Sequence, residues 1–136
     1  MINGARLAKE IVVSAQNKIG ILANMSKVLA DHGINIEGVA GYAAGKEATI
    51  MLVADDSVRA ADALKKAGYK TLKENEVILV ELVNKPGALK GATEKLVAGG
   101  IDIKYTYGSI CSAGCPGRLI FSTSDNEKAL VLFKKK

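Results

Sequence analysis

Apolar and polar positions along the chain follow two alternating periods, and the order in which the periods follow one another occurs twice. Ile11, Val12 and Val13 form an unbroken apolar run closing at Gln16, as expected of a strand covered on both faces. From Gly20 the period changes, and Leu22, Met25 and Leu29 recur at i, i+3 and i+7, one face of a helix that Gly33 stops. Ile34 to Val39 and Thr49 to Ala54 then read as strands joined through the Gly- and Ala-rich stretch from Gly41 to Gly45. Asp55, Asp56 and Ser57 offer capping oxygens to a second helix with Ala60, Ala61 and Leu64 on its face and Gly68 as its stop. Tyr69 to Lys73 makes a short closing strand, so the unit reads βαββαβ.

The second half repeats this order. Val77 to Val83 reads as a strand and Gly87 opens a helix; adding 67 to Leu22, Met25, Leu29 and Gly33 reaches Leu89, Ala92, Leu96 and Gly100. Later the offset becomes 69, because Asp56, Ala60, Ala61 and Leu64 match Asp125, Ala129, Leu130 and Phe133; the two extra residues fall in the connection that holds Cys111 to Gly117. The expected organisation is two α+β domains, 10–74 and 77–136, with antiparallel sheets carrying helices on one face and the second unit lacking its last strand after its second helix. Such an omission leaves an open edge on that unit's first strand, for which residues 2 to 8 or a strand of another subunit are the candidates. Residues 1 to 9 show no clear period and read as a flexible lead-in able to add a short strand. The strands are apolar on both faces, which predicts that the side away from the helices is also buried, by the other unit or by a second chain; a homodimer is the simplest expectation.

Each unit's first strand leads into a matching loop, Asn17-Lys18-Ile19-Gly20 and Asn84-Lys85-Pro86-Gly87, and each first helix closes on Gly33-Ile34-Asn35-Ile36 or Gly100-Ile101-Asp102-Ile103. Repeated at fixed spacing within matching elements, these motifs resemble the ACT domain, and the chain from about residue 10 to 133 resembles small stand-alone proteins made of two tandem ACT domains. The resemblance implies ferredoxin-like units and a non-catalytic, regulatory protein that binds a free amino acid where two ACT domains set their second strands edge to edge. It implies ligand contacts at Asn17 and Asn84 and, from the other side of the interface, at Asn35 and Asp102. Serine specificity is not implied, because the histidine that serine-sensing members carry two residues before the loop asparagine is replaced by Ala15 and Leu82.

The chemistry of a zwitterion agrees with this placement. Backbone N–H groups at Lys18, Ile19, Gly20 and Ile21, and at Lys85, Pro86, Gly87 and Ala88 apart from the proline, lie where a helix start favours a carboxylate. Asn17, Asn84, Asn35 and Asp102 carry oxygens for the ammonium, and Asp102 is the one charged member, worth about 1.5–3 kcal/mol in a charge-assisted hydrogen bond. Tyr105 and Tyr107, two apart on a strand, point to the same side and can line the pocket with their hydroxyls, the bland reading being strand packing. The second copy, with Pro86, Asp102 and two tyrosines, is therefore expected to be the binder. Bland readings stand beside these: Gly20 and Gly87 as tight turns, the asparagines as helix caps, Asn35 and Asp102 as solvated strand starts, His32 as a helix-end residue.

Composition narrows the alternatives. Hydrophobic residues make up 49% and charged residues 24%, an ordinary globular balance. The net charge is +5, but Lys134, Lys135 and Lys136 supply three of it, leaving too little for a nucleic-acid partner. Single-stranded RNA binding is the alternative that shares the βαββαβ order; it needs stacking aromatics on central strands, and Phe121 alone is offered. Cys111 and Cys115 are expected as reduced thiols, and C-x3-C is half of a tetrahedral zinc site, so metal handling is a minor alternative and no cofactor is expected. No nucleophile, base and orienting acid form a set, which argues against an enzyme. No apolar run approaches 18 residues and the start lacks a signal peptide's apolar core, so no membrane partner and a cytoplasmic location are expected. A regulated protein partner remains to be supplied from outside this chain.

Overall fold

The structure is a computed structural model that describes residues 1–109 and 114–135. In chain order the elements are β1 (Ile2–Gln16), α1 (Ile21–Asp31), β2 (Ile36–Ala44), β3 (Glu47–Ala54), α2 (Ser57–Lys66), β4 (Leu72–Leu82), α3 (Ala88–Ala98), β5 (Ile103–Ser109), β6 (Gly117–Thr123) and α4 (Asn126–Lys134). Two compact units result: unit one is Lys9–Asn75, and unit two joins Met1–Ala8 to Glu76–Lys136.

The lead-in is thus not flexible coil. Residues 2 to 8 are strand and belong to unit two, where Met1 O accepts from Val83 N at 2.8 Å, so the edge that the sequence leaves open is covered from the chain's own beginning. Likewise the predicted strands Tyr69–Lys73 and Val77–Val83 are one strand from Leu72 to Leu82, whose residues before Glu76 serve unit one and whose later residues serve unit two. The polar stretch Lys73 to Asn75 hides that continuity from a reading of periodicity.

Within unit one the strand order is β2-β3-β1-β4, with Val13 opposite Ile50 and Val39 opposite Leu52; within unit two it is β1-β4-β6-β5, with Val80 opposite Leu119 and Thr106 opposite Phe121. Each edge strand starts with a register shift at matching positions, between Ile36 and Gly38 and between Ile103 and Tyr105. Antiparallel pairing with helices on one face makes each a ferredoxin-like unit.

The core of unit one packs Ile11, Val13, Ile50 and Leu52 beneath Met25, Leu29, Ala60 and Leu64; that of unit two packs Ile78, Val80, Leu82 and Phe121 beneath Ala92, Leu96, Ala129 and Phe133. Leu22 and Leu89 do not join them, being 43% and 51% exposed. The buried stripe instead begins one residue earlier, at Ile21 and Ala88, and continues at i+4 and i+8. Val53, Val77, Leu79 and Ile120 alternate with core residues along their strands and so face away from the helices, yet all are buried in the single chain.

Helix ends follow the sequence closely. Gly33 has φ 68° and Ile34 N reaches back to Leu29 O at 3.0 Å; Gly100 and Ile101 do the same to Leu96 at 2.9 Å, the doubly bonded stop in which a left-handed glycine turns the chain out. Cys115 is disulfide-bonded, which corrects the expectation of a reduced thiol: a count of two cysteines rules out a framework of bridges but leaves room for one. Cys111, and with it the C-x3-C motif as a whole, lies outside the described residues.

Candidate functional site

The two loops have the same backbone. Gly20 has φ 91° and ψ 3°, Gly87 φ 89° and ψ −9°, values of the third residue of a type II turn. The turn closes from Ile21 N to Lys18 O at 3.4 Å and from Ala88 N to Lys85 O at 3.2 Å. Position two of such a turn favours proline, which is why Pro86 and Ile19 are interchangeable there while the glycine is required. The tight-turn reading is therefore correct, and it has a consequence for chemistry.

With the first donor turned back, the next two N–H groups of each helix, Leu22 and Ala23 or Leu89 and Lys90, have no backbone or side-chain acceptor among the described residues. Neither α1 nor α3 has a side-chain cap or an acidic residue in its first turn. The other two helices differ. Asp56 accepts from Arg59 N at 3.1 Å and Asp125 from Lys128 N at 3.0 Å, so α2 and α4 are closed by their own carboxylates. This contrast within one chain leaves α1 and α3 as the helix starts whose positive ends are uncompensated. It also removes the capping reading of Asn17 and Asn84, since Gly20 and Gly87 occupy the cap position.

At the first loop a cavity of about 490 Å³ opens, lined by Gln16, Lys18, Ile19, Gly20, Ile21 and Asn24 on one side and Ala67, Gly68 and Tyr69 on the other. Its walls bring the positive start of α1 to the negative end of α2, two fixed partial charges of opposite sign around one space. Asn24 Nδ2 lies 2.5 Å from Tyr69 Oη, which ties the first turn of α1 to the segment leaving α2. Gln16, Asn24 and Tyr69 are site residues that sequence reasoning missed. Asn24 could have been found from its place one turn after Gly20; Tyr69 could not, because its position depends on the return of the chain after α2.

At the second loop the side chain of Met1 stands instead, its Cε 3.8 Å from where a Cβ on Gly87 would lie. The expectation that the second copy is the binder thus meets the structural fact that the described cavity at a loop belongs to the first.

Within a unit the remaining predicted residues are far from the loops. Asn17 N bonds Lys46 O at 2.8 Å at one end of β3, whereas Asn35 N bonds Asp55 Oδ1 at 3.1 Å at the other, so the length of β3 separates them by roughly 25 Å. Asp102 is placed likewise: its N–H bonds Ser124 Oγ at 3.0 Å beyond one end of β6, while Leu82, two residues before Asn84, pairs with Gly117 at the other. Asn17, Asn35, Asn84 and Asp102 are all exposed. Tyr105 and Tyr107 are half-buried, stacked with centroids 6.5 Å apart, and share the face of Ile120, away from the helices. His32 Nδ1 lies 2.7 Å from Val28 O, as a helix-end residue does. Among the described residues no group of three or more His, Cys, Asp or Glu is placed to hold a metal ion.

Residues 9–66, which lie within unit one, match the family model of the ACT domain. No curated protein matches the chain. Among solved structures, protein BT0572 from Bacteroides thetaiotaomicron is 25% identical with a TM-score of 0.85, the match covering 96% of this chain and 88% of that one. The regulatory subunit of aspartate kinase from Thermus thermophilus, in its ligand-free form, is 16% identical with a TM-score of 0.68, over 97% and 95% of the two chains. The same subunit from Thermus flavus is 16% identical with a TM-score of 0.58 and the same coverage. At 16% identity these two show a shared fold across both units.

Proposed function

We propose that this protein is a non-catalytic regulator, built of tandem ACT domains at 10–74 and 77–136, that binds a free amino acid and passes the binding event to a separate protein. The observation that carries the reading is the cavity at Lys18 to Ile21 between the uncapped start of α1 and the end of α2. A ligand carboxylate there takes the N–H groups of Leu22 and Ala23 with Lys18 beside it, and the ammonium turns to the α2 end, Gln16 and the carbonyl of Asn24's side chain. The cavity is of a size for one amino acid with its first waters. The ACT match of unit one and a fold shared with a regulatory subunit support the regulatory part.

A homodimer completes the proposal. β2 and β5 are the outer strands of their units, and Ile19 at 106% exposure, Leu22 at 43% and Val39 at 46% leave apolar surface on α1, its loop and β2. Pairing such edges between copies brings Asn35 or Asp102 of one copy toward the loop of the other, which a single unit does not do. The absence of any membrane-length apolar helix among the described residues fits a cytoplasmic site of action.

Thermal-shift measurements with each of the twenty amino acids test the proposal. A ligand present at about 100 times its Kd adds about 2.7 kcal/mol to stability, an easily read rise in Tm. No shift with any amino acid overturns it.

A further inference from the structure

Unit two holds a second and larger cavity, about 740 Å³, one turn along α3 from its loop. It lies between Met1 and the first residues of β1, the face of α3 at Gly91, Ala92 and Lys95, and the end of α4 with Lys135 just beyond it. The internal repeat says what fills this place in unit one. Gly91, Ala92 and Lys95 stand 67 positions after Asn24, Met25 and Val28, and Phe133 stands 69 after Leu64. There, Tyr69 and Leu72 pack onto the core that Met25, Val28 and Leu64 help form, and the Tyr69 hydroxyl meets Asn24. Unit two keeps the apolar floor, with Ala92 fully buried and Phe133 2% exposed, but has Gly91 in place of Asn24 and the small pair Gly4-Ala5 on the covering strand. A Cβ built on Gly4 or on Gly91 meets nothing within 4 Å.

The rim is cationic. Lys95, Lys134 and Lys135 line the cavity, and among the described residues no Asp or Glu is in its walls and no ion pair involves these lysines; the half-buried Lys95 Nζ donates to the Lys135 carbonyl. An apolar floor that holds a tyrosine ring and a leucine in the sister unit, under an unneutralised ammonium, selects an apolar ring with one negative charge and disfavours a second ammonium.

We propose that this cavity binds a small aromatic carboxylate lacking an amino group, with the ring on Ala92 and Phe133 and the carboxylate on Lys95. The site is independent of the amino-acid reading of unit one. Isothermal titration of the full chain with 3-phenylpropanoate, phenylalanine and 3-phenylpropan-1-ol tests it. Phenylpropanoate is expected to bind at least tenfold more tightly than the alcohol. Gly91→Leu, which fills the cavity, is expected to abolish its binding while leaving any amino-acid thermal shift unchanged. Lys95→Gln is expected to weaken phenylpropanoate at least tenfold without affecting the alcohol, and Lys95→Arg to restore it. Absence of phenylpropanoate binding to the folded wild type, or unchanged affinity in Lys95→Gln, overturns the proposal; the lysine variants decide the matter even if Gly91→Leu does not fold, because Lys95 is a half-buried rim residue.

Discussion

Placing a carboxylate in the first turn of α1 separates folding from binding, because the two respond with opposite signs. Ala23 is exposed and is the third residue of the helix, so Ala23→Glu sets a negative charge beside N–H groups that have no acceptor. Complementing the macrodipole there stabilises the fold by about 0.3–1 kcal/mol, an upward Tm shift of about 1–5 °C for a chain of this size. A ligand carboxylate on the same N–H groups would lie about 5 Å from the new charge. The repulsion is about 1–3 kcal/mol for effective dielectric constants from about 80 down to 20, which weakens binding about 5- to 150-fold. Thermal melting without ligand and titration with the amino acid that gives the largest thermal shift read the two effects separately. A variant that melts higher and binds with unchanged affinity refutes the assignment of the carboxylate to the start of α1.

Three further outcomes are expected. Gly20→Ala and Gly87→Ala force a Cβ into the left-handed region and should each cost about 1–2 kcal/mol, read as a lower urea midpoint with unchanged slope. Leu29→Ala, at a fully buried position, should cost about 2–5 kcal/mol, whereas Leu22→Ala, at the exposed position of the same predicted face, should cost under about 1 kcal/mol in the monomer; equal losses would contradict the packing. Asp56→Ala and Asp125→Ala remove the caps of α2 and α4 and should each cost about 1 kcal/mol by chemical denaturation without changing amino-acid affinity.

What was legible in the chain was local. The turn at Gly20 and Gly87, the stops at Gly33 and Gly100 and the cap at Asp56 each depend on a few adjacent residues, and each is found where the pattern places it. The repeat added the fold, because two copies in the same order are more specific than either. What was not legible depends on chain returning from a distance. Residues 2 to 8 lack strict alternation, so their pairing beside Leu82 and Val83 has no local signal. Leu22 and Ile21 are neighbours with equal claim to the apolar face, and only the packing of α1 chooses Ile21. The candidate site was half legible: Lys18 to Ile21 line the cavity, but Gln16, Asn24 and Tyr69 complete it through a fold-level contact, and Asn35 and Asp102 sit at the opposite ends of their units.

The central claim is that an amino acid binds through its carboxylate at the start of α1, and amide resonances report on that most directly. In a titration of 15N-labelled protein with the stabilising amino acid, the Leu22 and Ala23 amides are expected to show the largest shifts, downfield as their N–H groups gain a charged acceptor, with Asn24 and Tyr69 following. Saturable shifts confined to other parts of the chain, with Leu22 and Ala23 unmoved, would contradict the account.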